Sequence, residues 1–242
     1  MGDWLASGQR AVPDVSIVAA LELADWRRRV AGLYAAVRAD HDPERAHAAW
    51  RSGRDTLFRA HPQSPLPPGD PLRKTGLPYW DYDPAMRFEL PLVPVPAPQQ
   101  RQVPTAVGET TTLRLIGQVT FPAPLDATVD VWWLRQYGGG LFLPLRDGTA
   151  GDTSYGGGRY ALDTAKGADL GGTASTLVID LNFLYHPSCR YNSRWQCPLA
   201  PAGNTTAAPV QAGERLSHAR RVSMPDHGKA SPPRPAPSRS VT

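Results

Sequence analysis

The sequence predicts an α+β protein in which an N-terminal helical hairpin packs on a mostly antiparallel β-barrel or β-sandwich. Three observations predict it. Two apolar stripes with helical spacing precede residue 61, twelve prolines crowd into residues 62–104, and beyond Thr110 the apolar period switches to two. These divide the chain into a frayed N-terminus (1–15), a helical hairpin (16–61), an ordered Pro-rich segment (62–104), an antiparallel β domain (105–214) and a disordered basic tail (215–242).

In the first helix Trp26, Val30, Leu33, Tyr34 and Val37 fall on one stripe. The second begins at "HDPERAHAAW", where Asp42 can cap, Pro43 fits the first turn and Glu44 suits the positive end of the dipole. Ala46, Trp50, Gly53 and Leu57 then share a face, and His61-Pro62 ends the helix. In the Pro-rich segment regular structure is largely excluded apart from short strands such as "RFELPLV". Its aromatic stretch "GLPYWDYDPAMRF" is expected to lie over the core.

In "TTLRLIGQVTF" the set Leu113, Leu115, Gly117, Val119 and Phe121 alternates with polar residues, broken by Ile116, which marks a half-buried strand. Further strands are expected at "TVDVWWLRQY", "LFLPLRD", "RYALD" and "STLVIDLNFLY". Short strands with Gly, Thr and Asp between them, and no helices, argue for antiparallel pairing. The tail is dominated by Pro, Ser and Arg and lacks the apolar surface to offset its ordering entropy.

The formal net charge is +4, but residues 215–242 carry Arg215, Arg220, Arg221, Lys229, Arg234 and Arg239 against Asp226 alone. The part expected to fold is near neutral, so a nucleic-acid partner is not expected. No run is long and apolar enough to span a bilayer. The opening residues also lack the pattern of a secretory signal, so a cytoplasmic protein with reduced thiols is expected.

The tetrapeptide YGGG occurs twice, at Tyr137–Gly140 and Tyr155–Gly158. Phosphate-binding glycine loops join a strand to a helix N-terminus. Strands are expected after both copies, so both read as turns, the first closing a hairpin. The second ends a polar loop, and loops on a rigid sheet are where function gathers. A small anionic ligand is the partner these residues suggest. Arg146 and Arg159 would supply charge, Thr153, Tyr155 and Tyr160 hydroxyls, Gly157 a backbone donor, and Asp180 with Asn182 orientation. Against this stands the plain alternative that Asp147 and Arg159 pair with each other.

Alternation along "TLVIDLNFLY" puts Asp180 and Asn182 side by side among aliphatics. Burial there could raise the carboxyl pKa, so Asp147 and Asp180 are the candidate general acids or bases of a rival, enzymatic reading, with Arg159 stabilising charge. A third reading is a protein-interaction module. In "HPSCRYNSRWQC" the residues His186, Cys189 and Cys197 are weak metal candidates, because their spacing matches no standard zinc site and a fourth ligand is missing. A nucleophilic cysteine would need His186 as base; buried thiols are the plainer reading. No motif names a cofactor, and the pattern specifies no oligomer.

The stretches "YGGGRYALDTAKGADL", "VIDLNFLYHPSCRYNSRWQCPLAP" and "VQAGER", in this order, resemble a bacterial family termed domain of unknown function 1684. The resemblance runs roughly from Leu23 to Arg215 and takes in "WRRRVAGLYAAVR", "RDTLFRAHPQSPL" and "GLPYWDYDPAMRF". It implies no established activity. The family usually has Phe at the positions of Leu145 and Leu181, and Glu-Asn-Arg in place of Gly203-Asn204-Thr205.

Overall fold

Ser16 opens the first helix by accepting a hydrogen bond from the Ala19 amide at 3.1 Å, and α1 runs Ile17–Ala39. Asp42 caps α2 (Pro43–Ala60) by accepting from the Arg45 amide at 3.0 Å, with Pro43 in the first turn. The computed structural model describes residues 16–105, 110–135 and 138–217. The expected frayed N-terminus, most of the expected tail, and Tyr137 of the first YGGG lie outside those residues.

The two helices form the expected antiparallel hairpin, and their stripes meet. Tyr34 is buried on α1, with Trp26, Val30, Leu33 and Val37 half-buried beside it. On α2 Ala46, His47, Trp50, Arg54, Leu57 and Phe58 are all buried. Gly53 permits the close approach, because a Cβ there would stand 2.3 Å from a methyl carbon of Leu33. Trp50 and Phe58 continue into Leu66, Leu77 and Tyr79 of the Pro-rich segment and Phe183 of the β part. Full burial of one such side chain contributes about 1.5–3 kcal/mol, so this shared cluster fixes the hairpin to the sheets.

The Pro-rich segment contains a single helical turn, α3 (Leu72–Thr75), and three short strands, β1 (Arg87–Pro91), β2 (Val93–Pro94) and β3 (Gln100–Pro104). Then follow β4 (Thr110–Phe121), β5 (Ala127–Leu134), β6 (Leu141–Leu145), β7 (Arg159–Asp163) and β8 (Thr176–Asp180). Among these residues β2, β4, β5, β6 and β7 lie in that order in one antiparallel sheet, with β3 also on β4; β1 pairs with β8 in a second sheet. The break in alternation at Ile116 is a bulge, since Leu115 faces Trp132 and Gly117 faces the next residue, Val131. Val119, Phe121, Val131, Leu143 and Leu145 of the large sheet share a core with Leu90, Leu177 and Ile179 of the small one.

Helices and antiparallel sheets are thus as expected, but the large sheet does not close into a barrel. Among the described residues no strand continues the sheet past β7; in its place are two isolated bridges, Asp163 with Ala168 and Tyr160 with Tyr185, the Tyr160 and Tyr185 amides donating to each other's carbonyls at 2.9 and 3.2 Å. These bridges cover the β7 edge while β8 is drawn away to β1.

A second correction concerns "TLVIDLNFLY". The strand stops at Asp180, and Leu181–Phe183 form a 3-10 turn. The Asp180 carboxylate accepts from the Asn182 amide at 2.9 Å. Such a local side-chain bond competes with the strand ladder and ends it. Asp180 and Asn182 are therefore adjacent through a turn and not through alternation.

Candidate functional site

Both glycine triplets lead into strands, β6 and β7. Gly158 has φ +90°, and a Cβ there would come within 2.8 Å of the Leu145 carbonyl oxygen, so the second triplet is a turn that only glycine completes at its last position. Immediately after it Arg159 points inward and is fully buried. Its Nη2 donates to Asp147 Oδ2 at 2.8 Å and to the Val210 carbonyl at 2.8 Å; Nη1 donates to the Ala212 and Glu214 carbonyls. Trp80 covers the guanidinium face at 5.1 Å.

Asp147 also accepts from the Thr149 amide and hydroxyl and the Val210 amide, at 2.9, 2.6 and 3.0 Å. Burial pushes its carboxyl up, but Arg159 and these donors hold it below the ordinary carboxylate value. The predicted anion-binding role of Arg159 is therefore corrected. Its ion pair with Asp147 and three carbonyls take up both terminal nitrogens, and the Nε, which has no hydrogen-bond partner among the described residues, is sealed in the interior, so no donor of this side chain reaches the surface.

Glu214 sits beside this pair. Its Oε2 accepts from Arg54 Nη2 at 2.8 Å and from the His186 amide at 3.0 Å, and Oε1 lies 3.4 Å from His186 Nδ1. Burial raises the Glu214 pKa, and Arg54 and His186 outweigh it, holding the carboxyl below its ordinary value. The Tyr155 amide donates to His186 Nε2 at 3.2 Å. The neutral ring therefore carries its proton on Nδ1, facing the carboxylate, and burial keeps the ring neutral by depressing its pKa. Two guanidiniums and two carboxylates thus balance around a neutral imidazole. Segments 146–160, 180–192 and 204–215 meet around this charge network, in which the buried Arg159 Nε and Glu214 Oε1 make no hydrogen bond among the described residues.

The remaining predicted residues are dispersed. Arg146 is exposed, its Nε donating to the Gly156 carbonyl at 3.0 Å. Thr153 is half-buried, and its carbonyl accepts from the Leu216 amide at 2.8 Å. Gly157 is half-buried beside the Tyr155 ring. Tyr160 is buried and donates its hydroxyl to the Pro198 carbonyl at 2.6 Å. Asn182 exchanges two hydrogen bonds with the Asp83 backbone, at 2.9 and 2.8 Å, and its own carbonyl lies 2.8 Å from His47 Nε2. It anchors the Pro-rich segment and α2 to the turn after β8.

Asp180, 1% exposed, lines a separate cavity of about 80 Å³ with Arg38 and Arg87. Burial raises its pKa despite hydrogen bonds from Asn182 and Tyr82. The two candidate acids therefore occupy different surroundings, and Arg159 is grouped only with Asp147.

Asn204, in the triplet that departs from the resemblance, is fully buried; it accepts from the Trp132 indole at 2.7 Å and donates to the Asp130 carbonyl at 2.7 Å. At Gly203 a Cβ would meet Asp130 Oδ2 at 2.0 Å, so the Asp130 carboxylate already occupies the space of a side chain there.

A larger cavity, of about 210 Å³, opens between the hairpin and the chain at 160–197. Trp26, Tyr34, Trp50, Phe58 and Tyr185 wall it, and Arg54 and Cys197 also line it. Arg54 donates its Nε to Tyr79 Oη at 2.9 Å and lies 4.4 Å from the Phe58 ring centroid and 5.0 Å from that of Tyr185. Trp195, also lining the space, has a buried indole N–H without a hydrogen-bond partner among the described residues. Arg27 and Lys166 contribute further cationic lining.

Sequence reasoning missed Arg54 and Glu214. The signal for Arg54 was a cation one turn after Trp50 on the apolar stripe. Glu214 stood within "VQAGER". His186, Cys189 and Cys197 form no metal cluster: His186 has protein partners at both nitrogens, and among the described residues no group of three or more His, Cys, Asp or Glu side chains is arranged to hold an ion. Nor, among those residues, is any helix long and apolar enough to cross a membrane.

The architecture defines a mixed helix-and-sheet protein with antiparallel sheets and an aromatic cavity under an N-terminal hairpin. Residues 74–215, more than half of the chain, match the family described as Protein of unknown function (DUF1684), and the protein belongs to that family. An uncharacterised protein of Haloarcula marismortui, whose structure was solved by NMR in solution, is 31% identical and matches with a TM-score of 0.52 over 72% of this chain and 94% of its own. No curated protein matches.

Proposed function

We propose that this protein binds a small organic acid with an apolar body in the cavity beneath the helical hairpin. The observation that carries the reading is the cavity itself, aromatic on its walls, with Arg27 and Lys166 among its lining residues and beside it a Trp195 N–H without a partner among the described residues. Ligand sites are mostly apolar concavities with a few polar groups that set orientation. A cavity of about 150 Å³ accommodates benzene, so about 210 Å³ suits a single-ring or short-chain acid. The ligand class is the one the polar loop suggested, but the place is different.

The test is a panel of benzoate, phenylacetate and hexanoate followed by tryptophan fluorescence and thermal unfolding. At about a hundredfold excess over Kd a ligand stabilises by about 2.7 kcal/mol, which raises Tm by about 5–10 °C for a chain of this size. Val30→Trp, which fills the cavity from α1, should abolish the shift while the protein remains folded. The absence of any shift with all three acids contradicts the proposal.

A second, enzymatic reading rests on Asp180. A buried acid of raised pKa beside Arg38 and Arg87 is the kind of group that serves as general acid. Its cavity of about 80 Å³ has room for water-sized groups, so binding beneath the hairpin is preferred.

A further inference from the structure

The cysteines were read as inert buried thiols, but their surroundings are specific. Cys197, 2% exposed, is part of the cavity lining. The Cys189 amide donates to its sulfur at 3.3 Å. That contact sets the two cysteines side by side, both as free thiols, with Cys189 half-buried. Lys166, 3.4 Å from the Asp163 carboxylate, is the cation nearest Cys197, and Tyr155, Tyr160 and Tyr185 are further titratable groups packed nearby.

We propose that Cys197 and Cys189 form a hydroperoxide-reactive dithiol in the cavity wall, with Cys197 as the attacking sulfur and Cys189 as the resolving one. The Cys197 thiolate attacks one peroxide oxygen, the O–O bond breaks, and hydroxide leaves and takes up a proton as water. Cys197 becomes a sulfenic acid. Cys189 sulfur, losing its proton, then attacks the Cys197 sulfur, forming the S–S bond and releasing the sulfenic oxygen as a second water. In sum two thiols are oxidised and one hydroperoxide is reduced; a small-molecule thiol such as glutathione reverses the disulfide by exchange. The assignment of roles follows from the backbone and the cavity, since the Cys189 amide donates to the Cys197 sulfur and Cys197 is the cysteine that lines the cavity.

The same contacts lower the Cys197 thiol to about 6, with the Cys189 hydrogen bond as the largest cause, Lys166 helping and burial opposing, and they push Cys189 up. At about pH 6 the thiolate fraction then exceeds that of a free thiol by roughly a hundredfold. The lower nucleophilicity of the more acidic thiol takes back about tenfold, leaving an advantage of about tenfold. This chemistry is independent of which acid, if any, occupies the cavity.

The test treats the fully reduced, full-length chain with equimolar hydrogen peroxide at about pH 6 and maps the products by mass spectrometry. The wild type should lose two hydrogens through a Cys189–Cys197 cross-link, about tenfold faster than free cysteine reacts. Cys189→Ser should accumulate a sulfenic acid on Cys197, trapped by dimedone, and Cys197→Ser should react no faster than free cysteine. If either variant fails to fold, the pH profile of alkylation on the wild type decides: Cys197 should label first, with a midpoint near 6. Oxidation at the free-cysteine rate, first attack at Cys189, or a labelling midpoint at the ordinary thiol value of about 8.5 overturns the proposal.

Discussion

Two neighbouring regions of this molecule hold polar groups in opposite ways. Around Arg159 and Glu214 the charges are matched, with Asp147, Arg54 and His186 closing the set. In the aromatic cavity next to it, Trp195 has a buried donor without a partner among the described residues, and Cys197, in contact with the Cys189 amide, borders an open space. The difference teaches where to look for chemistry. A buried charge with its partners in place is a fastening, since burying it unpaired would cost several kcal/mol. A donor left over beside a cavity, such as the Trp195 N–H, is a place for something else to bind, whereas the left-over Arg159 Nε is sealed in the interior.

The strongest way to break the comparison is Arg159→Met. It strands the Asp147 carboxylate and three carbonyls, and loss of one partner of a buried pair costs about 3–5 kcal/mol. A fall in unfolding free energy of that size is expected from urea titration, with only partial recovery in Asp147→Leu combined with Arg159→Met, because the Val210, Ala212 and Glu214 carbonyls stay unpaired. Full recovery in the double variant would reduce the network to a single ion pair.

The pH dependence comes next. Asp147 and Glu214 lie below their ordinary values, so the native state binds fewer protons than the unfolded one. The stability they contribute is complete above the ordinary carboxylate range and is lost as pH falls through their native values. Asp180 has the opposite sign. Its raised pKa weakens the native state as pH rises from the ordinary value to the native one, and acidification relieves that cost. Urea midpoints across the acid range should show a net loss dominated by the first two, and Asp147→Asn should flatten the acid limb while lowering the neutral plateau.

Gly53→Ala is expected to have a smaller effect. The new methyl collides with Leu33, and overpacking costs about 1–3 kcal/mol, while helix propensity returns about 1 kcal/mol. The expected net loss of about 1 kcal/mol is readable as a modest drop in Tm. At the bottom of the scale, Arg146→Ala, on the exposed side of the glycine loop, should leave both thermal stability and ligand affinity unchanged within the scatter of the measurement. A clear loss of affinity there would return the site to the loop.

Local spacing made the hairpin, the cap at Asp42 with Pro43 in the first turn, the strand at β4 and the break in its alternation at Ile116 legible, while the bulge behind that break is a finding of the structure. The end of β8 was not legible by alternation. The Asp180 side chain bonds the backbone two residues on, and that local contact overrides the period. Barrel closure failed for a related reason, since the chain after Phe183 covers β7 with one bridge where a strand was expected. At the site, sequence patterning brought Arg159, Asp147 and Tyr155 to attention, but it could not show which charges would find partners. That depends on Glu214 and Arg54, 160 residues apart, meeting in the interior. The aromatic cavity was equally hidden, because Trp26, Tyr34 and Trp50 read as ordinary core positions until the space between them and Tyr185 was seen.

The central claim is that binding occurs beneath the hairpin and not at the glycine loop. The most direct test is a proton–nitrogen NMR titration of the full chain with benzoate, phenylacetate and hexanoate. The account predicts that at least one acid shifts the indole N–H signals of Trp195, Trp50 and Trp26 while the amides of residues 148–157 stay in place. Shifts concentrated at residues 148–157 with the three indoles unmoved, or no shift with any of the acids, would contradict it.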